Sequence, residues 1–322
     1  MGDTASHAAG WPRLRVDDWT PTRETLHLWL QIVGKIEMAS TPLLNHWWNV
    51  TYEVTPRGLR TRSLLRRGAE AFEAEFDFAD SVLVLRSSTG ASETVALRPR
   101  SVADFFSAVE HACRTLGIEC AIWAAPNELE TAIPFAEDTA DRPYDPHAVR
   151  LFWRQLLQID AVFEQWRAGF AGKASPVQLF WGSMDLSSTR YSGRGAPPDT
   201  SSPAHCPPWV MVEAESRENV AAGFWPGGSD EGSFYVYAYP APPTYAEGTL
   251  TAGSFDHTLG EYILPYRDVR TAADPEATLL GFLQECYARA ADLAHWDRAL
   301  LDVDPDRLAA HLGRASARGP QA

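Results

Sequence analysis

The sequence predicts an α+β fold, with antiparallel sheets flanked by long helices. Three observations carry that reading. Runs rich in β-branched and aromatic residues follow one another over residues 46–98, with connections too short for parallel crossovers. Residues 22–38, 101–117, 147–171 and 275–294 repeat apolar side chains at helical spacing. The order helix, strands, helix occurs twice, which divides the chain into two weakly similar halves, a pseudo-duplication.

Residues 1–18 read as a flexible leader to a first α+β half, 19–125. Leu26, Trp29, Leu30 and Val33 define the first helix, with Thr22 or Thr25 placed to cap it and Glu24 near its positive end. The alternating run HWWNVTYEVT at 46–55 reads as a strand, and Pro56-Arg57-Gly58 as a turn. Strands follow near 59–66, 71–78, 81–87 and 92–98. In the second of these Phe72, Ala74, Phe76 and Phe78 share one face, and Glu73, Glu75 and Asp77 the other. Ser101 caps a helix that stops at Gly117, and residues 118–124 read as one more strand. The Pro-rich, acidic stretch 126–146 is a connection. The second half, 147–300, contains the long helix 147–171, a strand at 177–186 and a loop at 193–208. Strands at 219–225, 233–239 and 261–264 and a helix at 275–294 complete it, and 301–322 form a C-terminal tail.

The halves share small marks. Gly34-Lys35 matches Gly172-Lys173, Thr41-Pro42 matches Ser175-Pro176, and a Trp, Trp47 or Trp181, stands five residues after each Pro. Leu97-Arg98-Pro99-Arg100 and Leu264-Pro265-Tyr266-Arg267 each precede a helix. Duplication and coincidence between two generic α+β units both fit these marks. Either way, a joint between halves is the natural place for a pocket.

Composition excludes several classes. The chain has 322 residues, 45% hydrophobic and 22% charged, which is globular rather than disordered. Its 28 basic and 42 acidic residues give a net charge of −14, which repels phosphate backbones and argues against nucleic acid. No apolar run approaches the ~18 residues of a membrane span, and the first residues lack a secretory signal pattern. The cysteines, Cys113, Cys120, Cys206 and Cys286, form no CxxC pair and read as reduced, so the expected location is the cytoplasm. Only Lys35 and Lys173 are lysines, against 26 arginines.

P-loop, dinucleotide, HExxH, zinc-spacing and GxSxG motifs are all absent, which leaves any cofactor unknown. What remains is polar residues among aromatics. His27, Gln31 and Lys35 form one stripe on the first helix, either lining a pocket or facing solvent. His46 beside Trp47-Trp48 is a candidate base or ligand-binding residue, or a core histidine held by backbone. Arg190 suits a carboxylate or phosphate, or an ion pair with Asp185. Gly223-Phe224-Trp225-Pro226-Gly227-Gly228 allows close approach of a ligand, or is a tight hairpin. Tyr235, Tyr237 and Tyr239 share a strand face that suits a ligand-lined wall or packing on helices. Glu261 is a candidate acid or base, or a partner for a lysine. With His46 and His257 it makes only a weak metal set, unsupported by spacing. The basic run Arg57, Arg60, Arg62, Arg66 and Arg67 is expected to pair with Glu73, Glu75 and Asp77 across strands.

The strings LHLWLQIVGK, NHWW, FWGSMDLSSTRYSGR, GFWPGG, YAYPAPP and LGEYILPY resemble an uncharacterised bacterial family, domain of unknown function 5996, from about Trp11 to Trp296. The resemblance implies a bacterial, soluble protein and no particular activity. Gln178 stands where the family carries His in a Ser-Pro-Val-His step, which lowers the expectation of metal or catalysis there.

The expected function is that of an enzyme, or enzyme-like protein, acting on a small molecule in an aromatic-lined pocket between the halves. His46, Lys35 and Glu261 are the catalytic candidates. His27, Trp47, Trp48, Lys173, Trp181, Arg190 and Trp225 are the ligand-binding ones. The alternative is a non-catalytic module that binds a small molecule or a protein. Reaction, substrate and oligomeric state are not legible in the sequence.

Overall fold

The computed structural model describes residues 10–62, 64–65 and 70–304. Arg66 and Arg67 of the basic run lie outside the described residues.

The first half runs through α1 (Val16–Ser40), β1 (Thr51–Thr55), β2 (Gly58–Arg60), β3 (Leu64–Leu65), β4 (Ala71–Asp77), β5 (Val82–Ser87), β6 (Ser92–Ala96) and α2 (Val102–Thr115). The second opens with α3 (Pro146–Ala168), β7 (Gln178–Phe180), β8 (Asp185–Gly195), α4 (Trp209–Ala214), β9 (Arg217–Trp225) and β10 (Ser233–Tyr239). It closes with β11 (Ser254–Asp256), β12 (Glu261–Pro265), α5 (Tyr266–Arg270), α6 (Pro275–Leu293) and α7 (Arg298–Leu301). The fold is α+β, as the sequence predicts. Among the described residues, twelve strands make one sheet in the order β11-β12-β10-β9-β8-β7-β1-β2-β4-β5-β6, with β3 on β4 off this path. Every ladder is antiparallel. The halves join where β1 meets β7, through Thr51↔Phe180 and Tyr52↔Leu179.

The common order of elements does not establish a duplication. Strand β3 sits off the path in the first half, and β11 and β12 close the second in reversed spatial order.

Helix α1 lies at the centre of the core. Trp29 is fully buried and stacks on Phe105 of α2 at 4.5 Å, and Trp19 packs on Phe152 of α3 at 5.0 Å. In β4 the predicted aromatic face is buried, while Glu75 pairs with Arg86 at 2.8 Å and Asp77 with Arg57. Arg60 pairs with Glu53 on the neighbouring β1 at 3.0 Å. Ser101 caps α2 as expected, accepting from the amide of Asp104. Among the described residues no helix is long and apolar enough to cross a membrane.

Several elements differ from expectation. The strand predicted near 59–66 is two short strands, β2 and β3. The strand predicted at 46–55 begins only at Thr51, because Asn45–Trp47 form a 3-10 turn. His46 and Trp47 hold φ of 57° and 60°, left-handed backbone that no strand admits. The strand predicted at 177–186 is two strands, broken by a turn that ends at Met184 with φ 62°. Residues 118–124 join no ladder: Ile118 is buried and Ile122 and Ala124 pack on the core without a partner strand. Helix α1 starts at Val16, ahead of the predicted 22. Leu14 is buried, and the amide of Val16 donates to the carbonyl of Asp230 at 2.8 Å.

Candidate functional site

A cavity of about 830 Å³ lies at the β1–β7 seam, open to solvent at one side. The first half supplies Met38, the 46–48 turn and Val50, the connection supplies Asn127 and Glu128, and the second half supplies the rest. Five tryptophans line it: Trp47, Trp48, Trp181, Trp209 and Trp225. Such a volume and lining suit a small organic molecule.

The walls are built by unusual backbone. Among the described residues eight non-glycine residues have positive φ; five of them, His46, Trp47, Glu128, Met184 and His205, lie in the lining or beside a lining residue. Strain of this kind persists only where the surroundings over-determine it, and it gathers at functional sites. The Trp47 indole donates to the carbonyl of Val210 in α4 at 2.9 Å, and its ring meets Trp209 at 5.0 Å. His46 stacks on Tyr191 at 4.4 Å. Its Nδ1 donates to the carbonyl of Ala214 at 2.8 Å, which fixes the tautomer. Burial and then Lys173 lower its pKa against the pull of that bond and Glu213, so at neutral pH Nε2 carries a lone pair.

Four carboxyls line the same space: Glu128, Asp185, Glu215 and Glu261. Asp185 accepts hydrogen bonds from the hydroxyls of Ser183 and Tyr235. Glu215 accepts from Tyr237 at 2.9 Å and from Asn219 Nδ2 at 2.5 Å. Burial pushes both carboxyls above the usual carboxylate range despite those bonds. Among the described residues no donor reaches the carboxyl of Glu128 or of Glu261. Burial, with repulsion from Asp185, pushes Glu128 up to about 7 against the pull of Lys35. Burial, with Asp185 and Asp256, pushes Glu261 up to about 7 as well. Glu128 reaches its place because residue 182 is glycine: a Cβ there would fall 2.0 Å from Oε1 of Glu128.

The polar stripe of α1 stands behind this site rather than in it. His27 Nε2 donates to the carbonyls of Gly182 at 2.8 Å and Trp181 at 3.1 Å. Gln31 grips Asn127 twice, donating to its carbonyl and accepting from its amide, both at 2.8 Å. Lys35 donates to the side chain of Asn127 and lies 5.5 Å from the Trp181 ring. Burial lowers Lys35 to about 8, against the pull of Cys206 and Glu128. These three side chains hold the turn after β7 and Asn127 in place.

Of the predicted residues, the structure brings His46, Trp47, Trp48, Trp181, Trp225 and Glu261 together in the lining. Lys173 is exposed, with its ammonium 5.2 Å from the Trp48 ring and 5.1 Å from Tyr191. Arg190 does not reach the cavity. It is buried in a cage of Trp166, Tyr287 and Phe170, and donates to the carbonyl of Trp166 rather than pairing with Asp185. His257 is exposed beside Phe255. Among the described residues no three His, Cys, Asp or Glu side chains gather as a metal site. Glu128 and Glu215 were missed. Glu215 had a signal, the tyrosine alternation of β10, since Tyr237 points at it; Glu128 had none, because it sits in a connection without periodicity.

No curated protein and no solved structure matches the chain. A family model does, over residues 11–303, and it covers all the strands and every residue named in the site. The chain belongs to this family of unknown function (DUF5996).

Proposed function

We propose that this protein binds a small organic molecule in the seam cavity and acts on it by proton transfer. The observation that carries this reading is the pair of unpartnered carboxyls, Glu128 and Glu261, both poised near neutrality in an aromatic chamber. A carboxyl with a pKa near the working pH is held in both forms and serves as general acid or base. His46 Nε2 adds a neutral acceptor on the same lining. His27, Gln31 and Lys35 keep the chamber in shape. The four free cysteines support a reducing, cytoplasmic setting.

The test is retention of a ligand. Full-length protein is incubated with a bacterial small-molecule extract, repurified and weighed by native mass spectrometry. Thr189→Trp, which fills the chamber from β8, serves as the blocked control, with circular dichroism to confirm that it folds. A bound mass on the wild type that the blocked variant lacks supports the reading. No bound mass, or equal retention by both, overturns it.

A second reading has one observation in its favour. Trp209, Trp225 and Leu259 rim the cavity and are 55%, 42% and 63% exposed, as a seat for a protein partner would be. Under that reading Trp209→Ala abolishes a complex and leaves any bound small molecule in place.

A further inference from the structure

Resting on the small-molecule reading above, we propose that the ligand is an organic cation: a protonated amine carried on an apolar, aromatic or alkyl body. The argument starts from the charge of the lining. Four carboxyls face the chamber, and neither lysine nor arginine is among its lining residues. An anionic ligand would meet like charge on several sides at once. A neutral apolar ligand would cover the carboxyls and give them nothing in return.

The hydrogen-bond inventory points the same way. Asp185 and Glu215 already have two donors each. Among the carboxyl and amide groups of the lining, those left over are acceptors. The Glu128 and Glu261 carboxyls receive no donor from the described residues. Oδ1 of Asn219, a lining residue only 2% exposed, is buried without a partner. Trp181 Nε1 is an unpartnered donor, but it lies against Gly34 of α1. A ligand that completes this site brings N–H donors, and an ammonium brings up to three with the charge the carboxyls need.

The walls add the third part. Indole and phenol faces attract cations, most strongly when water is excluded. The protein uses that attraction on these same rings: Lys35 lies 5.5 Å from Trp181, Lys173 5.2 Å from Trp48, and Arg23 5.8 Å from Trp225. None of the three lines the chamber. They repel a bound cation from outside the lining, whereas Glu128 and Glu261 are free to touch it. Coulomb attraction falls with distance, so direct contact prevails.

Binding should therefore expel protons. An ammonium beside Glu128 or Glu261 favours the ionised carboxyl, and each starts partly protonated near pH 7. The titratable groups around them are Lys35 and Cys206 near Glu128, Asp185 acting on both, Asp256 and Tyr235 near Glu261, and His46, Tyr191, Glu215 and Tyr237 elsewhere in the lining. Lys35 shares this sign, since a new cation nearby favours its neutral form, but it does so in the glutamine variants too, and His46 is already neutral.

The experiment is isothermal titration calorimetry on the full chain with three matched probes: phenethylamine, 2-phenylethanol and 3-phenylpropanoate. Each is run at pH 7 in two buffers of different ionisation enthalpy. The amine should bind about tenfold or more tightly than the alcohol, with propanoate weaker still and protons released to buffer. Glu261→Gln and Glu128→Gln, near-isosteric and checked for folding, should each weaken the amine by about tenfold, reduce the proton release and leave the alcohol within about twofold. If alcohol or propanoate binds as tightly as the amine, the cation assignment falls and the cavity reading stands. Amine binding that neither substitution alters also overturns the assignment. If none of the three binds, the assignment falls too, and ligand retention by the wild type against Thr189→Trp then decides the cavity reading separately.

Discussion

Replacing Gly34 by alanine pits helix propensity against packing. Within an unencumbered helix, alanine is favoured over glycine by about 1 kcal/mol. Gly34 lies well inside α1, but a Cβ built on it falls 2.3 Å from Cδ1 of Trp181, 2.4 Å from Nε1 and 2.5 Å from Cγ. Ordinary carbon contacts lie near ~3.5–4.0 Å, so ring and helix must part by about 1 Å or more. Neither partner is free to move. Trp181 is 5% exposed, with its carbonyl held by His27 at 3.1 Å, and the opposite side of α1 is packed through Trp29 onto Phe105. Overpacking of this kind costs about 1–3 kcal/mol, and a rigid indole puts it toward the upper end. The net expectation for Gly34→Ala is a loss of about 1–2 kcal/mol, read as a lower urea midpoint at unchanged slope. Gly281 in α6 is the matched control, since a Cβ there meets nothing within 4 Å. Gly281→Ala should gain up to about 1 kcal/mol. If Gly34→Ala is as stable as the wild type, or shifts in the same direction as Gly281→Ala, the contact between α1 and the cavity wall is not as described.

Three further outcomes follow from the structure. Tyr235→Phe removes one of the two donors on buried Asp185 and should cost about 1–3 kcal/mol in urea unfolding, where an unchanged midpoint would contradict that bond. Arg190→Lys keeps the charge but loses the flat guanidinium stacked 4.0 Å from Trp166 and 4.3 Å from Tyr287. It should lower stability by about 1–3 kcal/mol, whereas wild-type thermal stability would show that charge alone suffices. Glu37 is fully buried, and burial pushes it up to about 8, against the pull of the Arg62 amide. Its proton is held more tightly in the folded state than in the unfolded one. The resulting stabilisation is complete below the unfolded pKa of ~4.5 and is lost as pH rises toward about 8. Glu37→Gln should flatten that decline between pH 5 and 9, and identical slopes for variant and wild type would exclude Glu37 as its source.

Legibility in the sequence followed periodicity. The long helices and the β9, β10 and β12 strands were readable because apolar spacing and β-branched or aromatic runs persist over many residues. The tryptophans of the site were readable because large rings beside polar residues at strand ends are conspicuous. Backbone handedness was not readable: HWWNVTYEVT has the composition of a strand throughout, yet His46 and Trp47 turn left-handed where α4 and Glu213 receive them. That reception is tertiary, set by residues more than 160 positions away, and no local pattern encodes it. The stripe of His27, Gln31 and Lys35 was visible as a face of a helix. Its inward direction depended on Asn127 and Gly182, which occupy a connection and a turn. Arg190 shows the converse: an arginine in a strand looks like a ligand anchor until the helices on either side prove to supply Trp166 and Tyr287.

The β1–β7 seam gives the molecule a waist. The broad arms of the sheet on either side are stitched along strands of up to eleven residues, but across the waist the register is two residue pairs. The ladders next to it, β7–β8 and β1–β2, are three residue pairs each, so the narrow part of the sheet extends from β7 to β2. Val50, one residue before β1, and Phe180, the last of β7, both border the chamber, so the chamber lies where the two arms join. A molecule that fills the chamber would touch both arms at once, since Val50 and the 46–48 turn line it from one and residues of β8, β9 and β10 from the other.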